Sequence, residues 1–363
     1  MSTATTAIRV GTPGRDYGYS NARVRGMRSR LLKSSFFDGM MHAKDLNGVI
    51  QALMDTEYRP DLEERLLHGH TTGQIDLALK DNMVRTFRKV MTLSNDEARG
   101  LLTTLLGRWD LFNIKTVVRG KHMNLSSEEI IDSMVAAGQL EPVDLEELSK
   151  QSTVKSVVDT LATWGLPFAV PLRAAMPEYA ESGSLAVLEL ALDKYYFEWA
   201  AGRLKGRNHN RALTRRFLGT QIDTINLLTC IRLLNADLGD EEPLRFFLPG
   251  GLSVSEALFS DLAQKSDVDE VYDRLKRTPY GRPVEEVAVK YVESGSVSVF
   301  ERALEDYMMR RAFAVGRGEP LGVGIIVSYL WMKANEVTNL RIVVKGVSVG
   351  MPESRMREEL IVV

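Results

Sequence analysis

A pattern near the end of the chain, "ANEVTNLRIVVKG" (334–346), occurs three times in the sequence. The other copies are "RWDLFNIKTVVRG" (108–120) and "TQIDTINLLTCIRLL" (220–234). Each copy has an acid, an asparagine three residues later, and a basic residue six positions after the asparagine. Because the asparagines recur at one constant interval, the chain is predicted to repeat one structural unit. The nine residues of this Asn motif are Asp110, Asn113, Arg119, Asp223, Asn226, Arg232, Glu336, Asn339 and Lys345.

A second element repeats in the same order with nearly the same period. The segments "IDLALKDNM" (75–83), "LELALDKYY" (188–196) and "FERALEDYM" (300–308) align on an alanine that an acid precedes by two residues. A third, looser element comprises "ALMDTEY", "TLATWG" and "RLKRTPY". Three markers in one order indicate a triplicated unit whose loops differ in length. The aligned alanines are Ala78, Ala191 and Ala303, and the acids are Asp76, Glu189 and Glu301.

Helical periodicity runs through almost the whole chain. Between Val297 and Met308 the apolar residues recur at spacings of three and four, as on one face of an amphipathic helix. Strand-like alternation flanked by hairpin turns does not occur. The sequence therefore predicts an all-α fold of three similar helical bundles in series. Each unit is predicted to run as an Asn helix, two further helices and an Ala–Leu helix.

The two ends of the chain break the regular order. A divergent Asn motif at the front carries Asn21, which lies closer to Asn113 than the period of the other copies requires. The last Asn helix has no following unit of its own, so we predict that it packs back on the first unit and closes the array. The predicted boundaries are 1–16 for a flexible N-terminal segment, 17–105, 106–218 and 219–327 for helical units 1, 2 and 3, and 328–363 for the closing C-terminal helix.

Composition excludes several classes of function. A chain of 363 residues with 44% hydrophobic and 26% charged residues is typical of a soluble globular protein. Its net charge of −2 gives no global attraction to nucleic acid or acidic lipid. The single cysteine, Cys230, cannot form an intrachain disulfide and is predicted to be a buried thiol. No apolar run reaches the roughly 18 residues of a membrane span, and the start lacks a signal-peptide core.

Recognisable catalytic chemistry is missing from the sequence. There is no phosphate-binding loop, dinucleotide fingerprint or nucleophile triad. The "HGH" at 68–70 offers two imidazoles without the other ligands of a zinc site, which favours a polar turn. Paired carboxylates such as Glu63–Glu64 fit solvated acids at helix ends better than an acid/base pair. The sequence thus predicts a non-catalytic chain without cofactor or metal, although a helical enzyme with an unrecognised site stays an alternative.

Two basic stretches contain no acid, "RLKGRNHNRALTRR" (203–216) and "ARVRGMRSRLLK" (22–33). One interpretation is a solvated face with cations near helix C-termini. The functional alternative is a positive surface that meets an acidic partner, where complementary charge sets orientation and speeds encounter. Nucleic acid is the weaker version of that alternative because aromatics do not interleave the cations. The partner-binding candidates are Arg203, Lys205, Arg207, Arg211 and Arg215.

The Asn motif itself requires a structural explanation, because asparagine is a poor residue for a helix interior. In the last copy Glu336 and Asn339 are three residues apart and share one side of the helix, while Val337, Leu340 and Val344 line another. We predict that the acid and the amide cap or bridge a neighbouring segment at the same place in each unit.

The ends of the chain carry a family resemblance. The segments "YGYSNARVRGMRSRLL" and "ANEVTNLRIVVKGVSVGMPESRMREELIVV" resemble the terminal signatures of the C subunit of archaeal and bacterial A/V-type rotary ATPases, the counterpart of the d subunit in the eukaryotic vacuolar proton pump. The likeness continues through "ALMDTEYRPDLEE" and the two earlier Asn motifs, so that it covers essentially the full chain. The Arg-rich stretch at 203–216 matches no motif of that family.

This resemblance implies a funnel of three similar helical domains in a pseudo-threefold arrangement, peripheral to the membrane on its cytoplasmic face. The implied partners are the membrane proteolipid rotor ring and the central-stalk subunits, and the implied role is non-catalytic transmission of rotation during ion-coupled ATP synthesis or hydrolysis. It implies no cofactor, no nucleic acid and no direct membrane span. The competing interpretation is a free-standing helical-repeat scaffold for soluble partners.

Overall fold

The computed structural model describes residues 17–234, 243–318 and 321–361. Within these ranges the chain forms eighteen α-helices and one short 3-10 helix, and no strand occurs there, which confirms the predicted all-α class. The predicted flexible segment 1–16 lies outside the described residues. The helices are α1 Gly18–Arg28, α2 Ser34–Met41, α3 Leu46–Met54, α4 Arg59–Leu66, α5 Thr72–Leu93, α6 Asp96–His122, α7 Ser127–Ser133, α8 Pro142–Ser149, α9 Val154–Thr163, α10 Ala169–Ser182, α11 Leu185–Arg203, α12 His209–Leu233, the 3-10 helix Pro243–Phe246, α13 Glu256–Leu262, α14 Val268–Leu275, α15 Gly281–Ser294, α16 Ser298–Gly318, α17 Gly324–Ser348 and α18 Glu353–Glu359.

Three long helices, α6, α12 and α17, carry the Asn motif, and their N-terminal ends meet. Asn210, in the first turn of α12, donates to the Glu97 carboxylate of α6 at 3.4 Å. The same side chain accepts from the backbone N–H of Val323, which precedes α17, at 3.1 Å. Glu97, Asn210 and Val323 follow one another at the same interval as the asparagines of the motif. The repeat therefore brings corresponding points of the three helices together.

The asparagine of each of these three helices bonds to the backbone of a residue 22 positions further along the chain. The side-chain amide nitrogen donates to the carbonyl oxygen of that residue, and the side-chain amide oxygen accepts from its N–H. All six distances lie between 2.8 and 3.0 Å. Each pair joins a buried asparagine to an irregular segment, which explains why the helix interior carries an amide. The pairs are Asn113 with Val135, Asn226 with Leu248 and Asn339 with Ile361.

The acid of the motif binds the N-terminal approach of a short helix. Asp110 accepts from the N–H of Leu140, and Asp223 accepts from that of Val254, at 2.9 and 3.0 Å. Glu336 accepts from the N–H of Leu32 at 2.5 Å. Each of these three donors lies two residues before a helix, α8, α13 and α2 respectively. In the third copy the acceptor thus comes from the end of the chain and the donor from its beginning.

Helix α17 packs against the first helices of the chain. It contacts α1, α2, α3 and α5, and its longest interface is with the preceding helix, α16. Most of the buried apolar residues form one cluster that includes both chain ends. A second cluster, around Phe259, Tyr280 and Phe300, lies between α12 and α16.

Two features of the predicted organisation differ in the structure. Four short helices, α7 to α10, separate the Asn helix α6 from the Ala–Leu helix α11, where two were expected. They have 7 to 14 residues, too short for a clear apolar period. In addition, the predicted boundaries after residues 105, 218 and 327 fall inside α6, α12 and α17. The division into three units stays a prediction.

We expect Asn226→Ala to destabilise the fold, because it leaves both polar groups of the Leu248 peptide unit without the amide partner. Each buried unpaired group costs about 1–3 kcal/mol, so the free energy of unfolding should fall by about 2–5 kcal/mol in a urea titration. Asn47→Ala, at an exposed position of α3, is the matched control and should change it by less than about 0.5 kcal/mol. Equal losses in the two variants would contradict the bridging role.

Candidate partner-binding surface

The buried acids of the Asn motif are held by hydrogen bonds. Burial raises the pKa of the Asp110 carboxyl, and the N–H groups of Leu140 and Gln139 partly oppose that shift. The pKa of Asp223 is raised by burial in the same way, against the N–H groups of Val254 and Ser253 and the Tyr280 hydroxyl. Both carboxyls are thus occupied by the neighbouring segment. Their arrangement fits a structural bond better than proton transfer to a substrate.

The basic residues of the motif meet the acids of the second repeated element. Arg119 binds Glu189 through two nitrogens, at 2.5 and 2.6 Å, which joins α6 to α11. Arg232 binds Glu301, which joins α12 to α16. In the third copy Lys345 is exposed, and Arg341, four residues earlier, forms the ion pair with Asp76 of α5 instead. The two repeated patterns are therefore partners in space.

The junction between the chain ends contains a buried ion pair. Lys333 and Glu336 are about 5% exposed, and the ammonium lies 2.8 Å from the carboxylate. The Tyr58 hydroxyl donates to the same carboxylate at 2.7 Å. Burial lowers the pKa of Lys333, and the Glu336 carboxylate opposes that shift. The corresponding positions in the other two long helices, Gly107 and Thr220, carry no charge.

The basic stretch 203–216 forms the end of α11, a short loop and the start of α12. We call this stretch the basic loop. Its five residues predicted to bind a partner are all exposed, and within the described ranges none of them forms an ion pair with a carboxylate. The Arg211 guanidinium donates to the carbonyl of Lys205 at 3.1 Å, and that of Arg215 donates to Leu204 at 3.4 Å. Arg203 stacks on Trp199 at 5.3 Å. Two guanidinium groups are therefore positioned by the loop itself.

Arg203 lies in the last turn of α11, where a cation is favourable, whereas Arg207 and Arg211 lie at the N-terminal end of α12. The first turn of α12 holds no acid, although negative charge is favoured at a helix N-terminus by about 0.3–1 kcal/mol per group. Exposed cations there add to the positive end of the helix dipole. The Glu97 carboxylate of α6 lies beside this helix end, bonded to Asn208 and Asn210, and an acidic partner would offset the remaining positive charge of the exposed arginines.

The second basic stretch lies nearer the first than the sequence indicated. Glu97 accepts hydrogen bonds from Asn208, next to the basic loop, and from Tyr17, next to α1, at 2.8 and 3.2 Å. Part of this second stretch is engaged within the molecule, since Arg30 pairs with Glu57 at 3.1 Å and Arg28 stacks on Phe313 at 4.8 Å. The first stretch is thus the better candidate for a partner.

One further arginine was missed by the sequence analysis. Arg108 lies in the first copy of the Asn pattern, but its surroundings come from a distant part of the chain. Its guanidinium lies 5.6 Å from the ring of Trp109 and 5.6 Å from that of Trp331. No local pattern could indicate the second contact, because Arg108 begins the first copy of the pattern and Trp331 lies three residues before the last copy.

The described residues offer neither a metal site nor a membrane span. They contain no group of three or more His, Cys, Asp or Glu side chains arranged to hold a metal ion. Among the helices of the described ranges we find none that combines the length and hydrophobicity of a transmembrane span. Cys230 is buried, as expected, and burial raises the pKa of its thiol to about 12.

Comparison with known proteins finds one family over nearly the whole chain. The family model described as ATP synthase (C/AC39) subunit matches residues 20–359. The C subunit of the A-type ATP synthase of Methanococcoides burtonii is 30% identical, with 99% of this chain and 98% of the relative aligned. That of Methanosarcina acetivorans is 28% identical over 96% of this chain and 93% of its own length. The C subunit of the V-type ATP synthase of Deinococcus radiodurans is 28% identical over 95% and 91%.

These likenesses define the class as subunits of A/V-type rotary ATPases. The chain belongs to the ATP synthase (C/AC39) subunit family, as the resemblance in its sequence predicted.

We expect Glu336→Gln to destabilise the junction of the chain ends, because it leaves the Lys333 ammonium buried without its carboxylate. Breaking a buried pair from one side costs about 3–5 kcal/mol, which a urea titration can measure. The control Glu63→Gln removes an exposed partner of Arg59 and should cost about 0–1 kcal/mol. The double variant Lys333→Met/Glu336→Gln should recover part of the loss, and no recovery would count against the pairing.

Proposed function

We propose that the protein is the non-catalytic central-rotor adaptor of an A/V-type ATPase or ATP synthase. In this role it links the membrane proteolipid ring to the central stalk and transmits rotation during ion-coupled ATP synthesis or hydrolysis. The observation that carries the proposal is the family match over nearly the whole chain, combined with a helical framework whose two ends are bonded to each other. A rotating coupling must resist twist, and the bond from Leu32 to Glu336 ties α17 to the segment before α2.

The three-domain funnel belongs to this proposal. Equivalent contacts recur three times, namely the amide bridge, the acid bond to a short helix and the ion pair between repeated elements. Such repetition supports three similar units around a common axis, the third of them assembled from both chain ends. On this view the subunit is peripheral and sits at the cytoplasmic face of the ring.

The basic loop is the proposed contact with the stalk. The guanidinium groups of Arg211 and Arg215 donate hydrogen bonds to loop carbonyls. Within the described ranges neither forms an ion pair with a carboxylate of the same chain. Ordered guanidinium groups bind carboxylates with geometric specificity, and their charge accelerates encounter at low salt. An acidic face of a stalk subunit fits this surface.

Co-purification from the native host tests the proposed function. A tag on the full chain should recover ring and stalk proteins from the membrane fraction in constant proportion. Recovery of the chain alone from the soluble fraction would overturn the rotor assignment and favour the free-standing scaffold.

We expect the triple change Arg207→Glu, Arg211→Glu and Arg215→Glu to weaken binding to purified stalk subunits and to flatten its dependence on salt. Each removed cation takes away an attraction that ions screen over about 10 Å at 0.1 M salt. A titration series from low to high salt measures both effects. The matched control changes Lys44, Lys155 and Lys290 to Glu, which alters the net charge equally at exposed positions elsewhere. Identical salt curves for the two triple variants would exclude the basic loop from the interface.

A further inference from the structure

The junction of the chain ends contains a small cavity beside the buried ion pair of Lys333 and Glu336. The cavity has a volume of about 50 Å³ and lies between the end of α1, the middle of α5 and α17, with Glu57 and Tyr58 on a further side. A water molecule needs about 10–15 Å³ on this measure, so the space holds a few waters or one small ion.

Three polar side chains that line the cavity have no partner in the protein. Asn82 and Tyr329 are 2% and 4% exposed, and Thr86 is half-buried. Within the described ranges the Oδ1 atom of Asn82 accepts no hydrogen bond, and neither hydroxyl takes part in one. The amide orientation of Asn82 is fixed, since its Nδ2 atom donates to the Glu57 carbonyl and the Asp61 carboxylate, both at 2.8 Å. Because buried polar groups normally have partners, these three indicate a polar ligand.

Cations from three parts of the chain line the same space. They are Arg30 after α1, Arg85 and Lys89 on α5, and Lys333 on α17. Lys89 is exposed and forms no ion pair within the described ranges. Arg30 bonds through Nε and Nη1, and Arg85 through Nε and Nη2. Each guanidinium therefore keeps one terminal nitrogen without a partner among the described residues.

Acids offset all but one of these positive charges. Each acid already binds one of the cations, Glu57 to Arg30, Asp61 to Arg85 and Glu336 to Lys333. The charge that remains is that of Lys89, so the cavity favours an anion. Because the carboxylates of Glu57 and Glu336 also line it, the affinity for an anion is modest.

The repeat explains why the space exists in this unit. When the aligned alanines of the second repeated element set the register, the positions that correspond to Asn82 are Tyr195 and Tyr307. The ring of Tyr307 packs against that of Tyr280 at 5.1 Å, and Tyr280 binds the acid of its Asn motif as Tyr58 binds Glu336. An asparagine in place of that ring leaves room beside Tyr58.

We propose that this cavity binds a phosphate group, which joins α1, α5 and α17 at the junction of the chain ends. The Oδ1 atom of Asn82 can only accept, so the ligand must carry a proton as well as negative charge. Hydrogen phosphate has both, whereas sulfate is fully deprotonated at neutral pH. Its charged oxygens accept from Lys89 and the free guanidinium nitrogens, and the hydroxyls of Tyr329 and Thr86 donate to them. This ligand site does not depend on the proposed function.

Calorimetric titration of the full chain with inorganic phosphate, and with sulfate at equal ionic strength, tests the proposal. Phosphate should bind at least about tenfold more tightly than sulfate, which cannot donate to Asn82. Tyr329→Phe removes a hydroxyl that bonds to nothing in the described protein and should weaken phosphate binding about 3- to 10-fold. The matched control Tyr195→Phe removes a hydroxyl from a half-buried ring on α11 and should leave the affinity unchanged.

Thr86→Val and Lys89→Gln provide independent arms. Each should weaken phosphate binding severalfold, while the melting temperature without phosphate stays within a few degrees of wild type. Glycerol phosphate distinguishes the sources of the group, since binding equal to that of inorganic phosphate identifies a larger phosphate ester as an occupant and weaker binding identifies the free ion.

Three results would overturn the phosphate site. The first is no binding of either phosphate compound by the wild-type chain, which leaves water as the content of the cavity. The second is wild-type affinity in all three variants, which places the bound phosphate elsewhere. The third is equal affinity for sulfate, which removes the proton donated to Asn82.

Discussion

The fold depends on a side-chain amide that takes the place of a peptide unit. An asparagine offers one acceptor and two donors, so it can bond both the N–H and the C=O of a single residue. In this chain the irregular segments around Val135, Leu248 and Ile361 receive those bonds from Asn113, Asn226 and Asn339, at a constant separation of 22 residues. Without them, buried polar groups of each segment would lack partners. Every long helix is thereby tied to the segment that follows it.

The third copy of this arrangement explains why the protein is bonded end to end. There the N–H that the acid binds comes from Leu32, before α2, and not from the segment around Ile361 that the asparagine binds. The acid there is Glu336, longer than the aspartates of the other copies, and it accepts from Tyr58 as Asp223 accepts from Tyr280. What the junction between separate chain segments adds is the Lys333 ammonium, buried beside the carboxylate. Buried polar contacts of this kind favour one arrangement over alternatives more than they add stability.

Much of the framework was predictable from the sequence. The constant interval of the Asn motif identified the bridging asparagines, because a residue that is poor in helices recurs only where it has a partner. Long periodic segments such as α16 and α17 were recognisable, whereas the short helices α7 to α10 were not, since their apolar residues depend on packing rather than on period. The partners of the motif lay beyond sequence reasoning. Nothing near Arg232 indicates Glu301, and nothing near Arg108 indicates Trp331.

The contrast between repeated and unrepeated residues separates structural from functional roles in a chain whose Asn motif occurs three times. Residues required by the unit must be kept in every copy, as are the amide and the acid of the Asn motif. A partner that contacts one copy alone would meet positions that differ between the copies. The exposed guanidinium groups at Arg211 and Arg215 lie at such positions. Neither pairs with a carboxylate within the described residues, and both are held by loop carbonyls, so we propose that these cations meet a single partner.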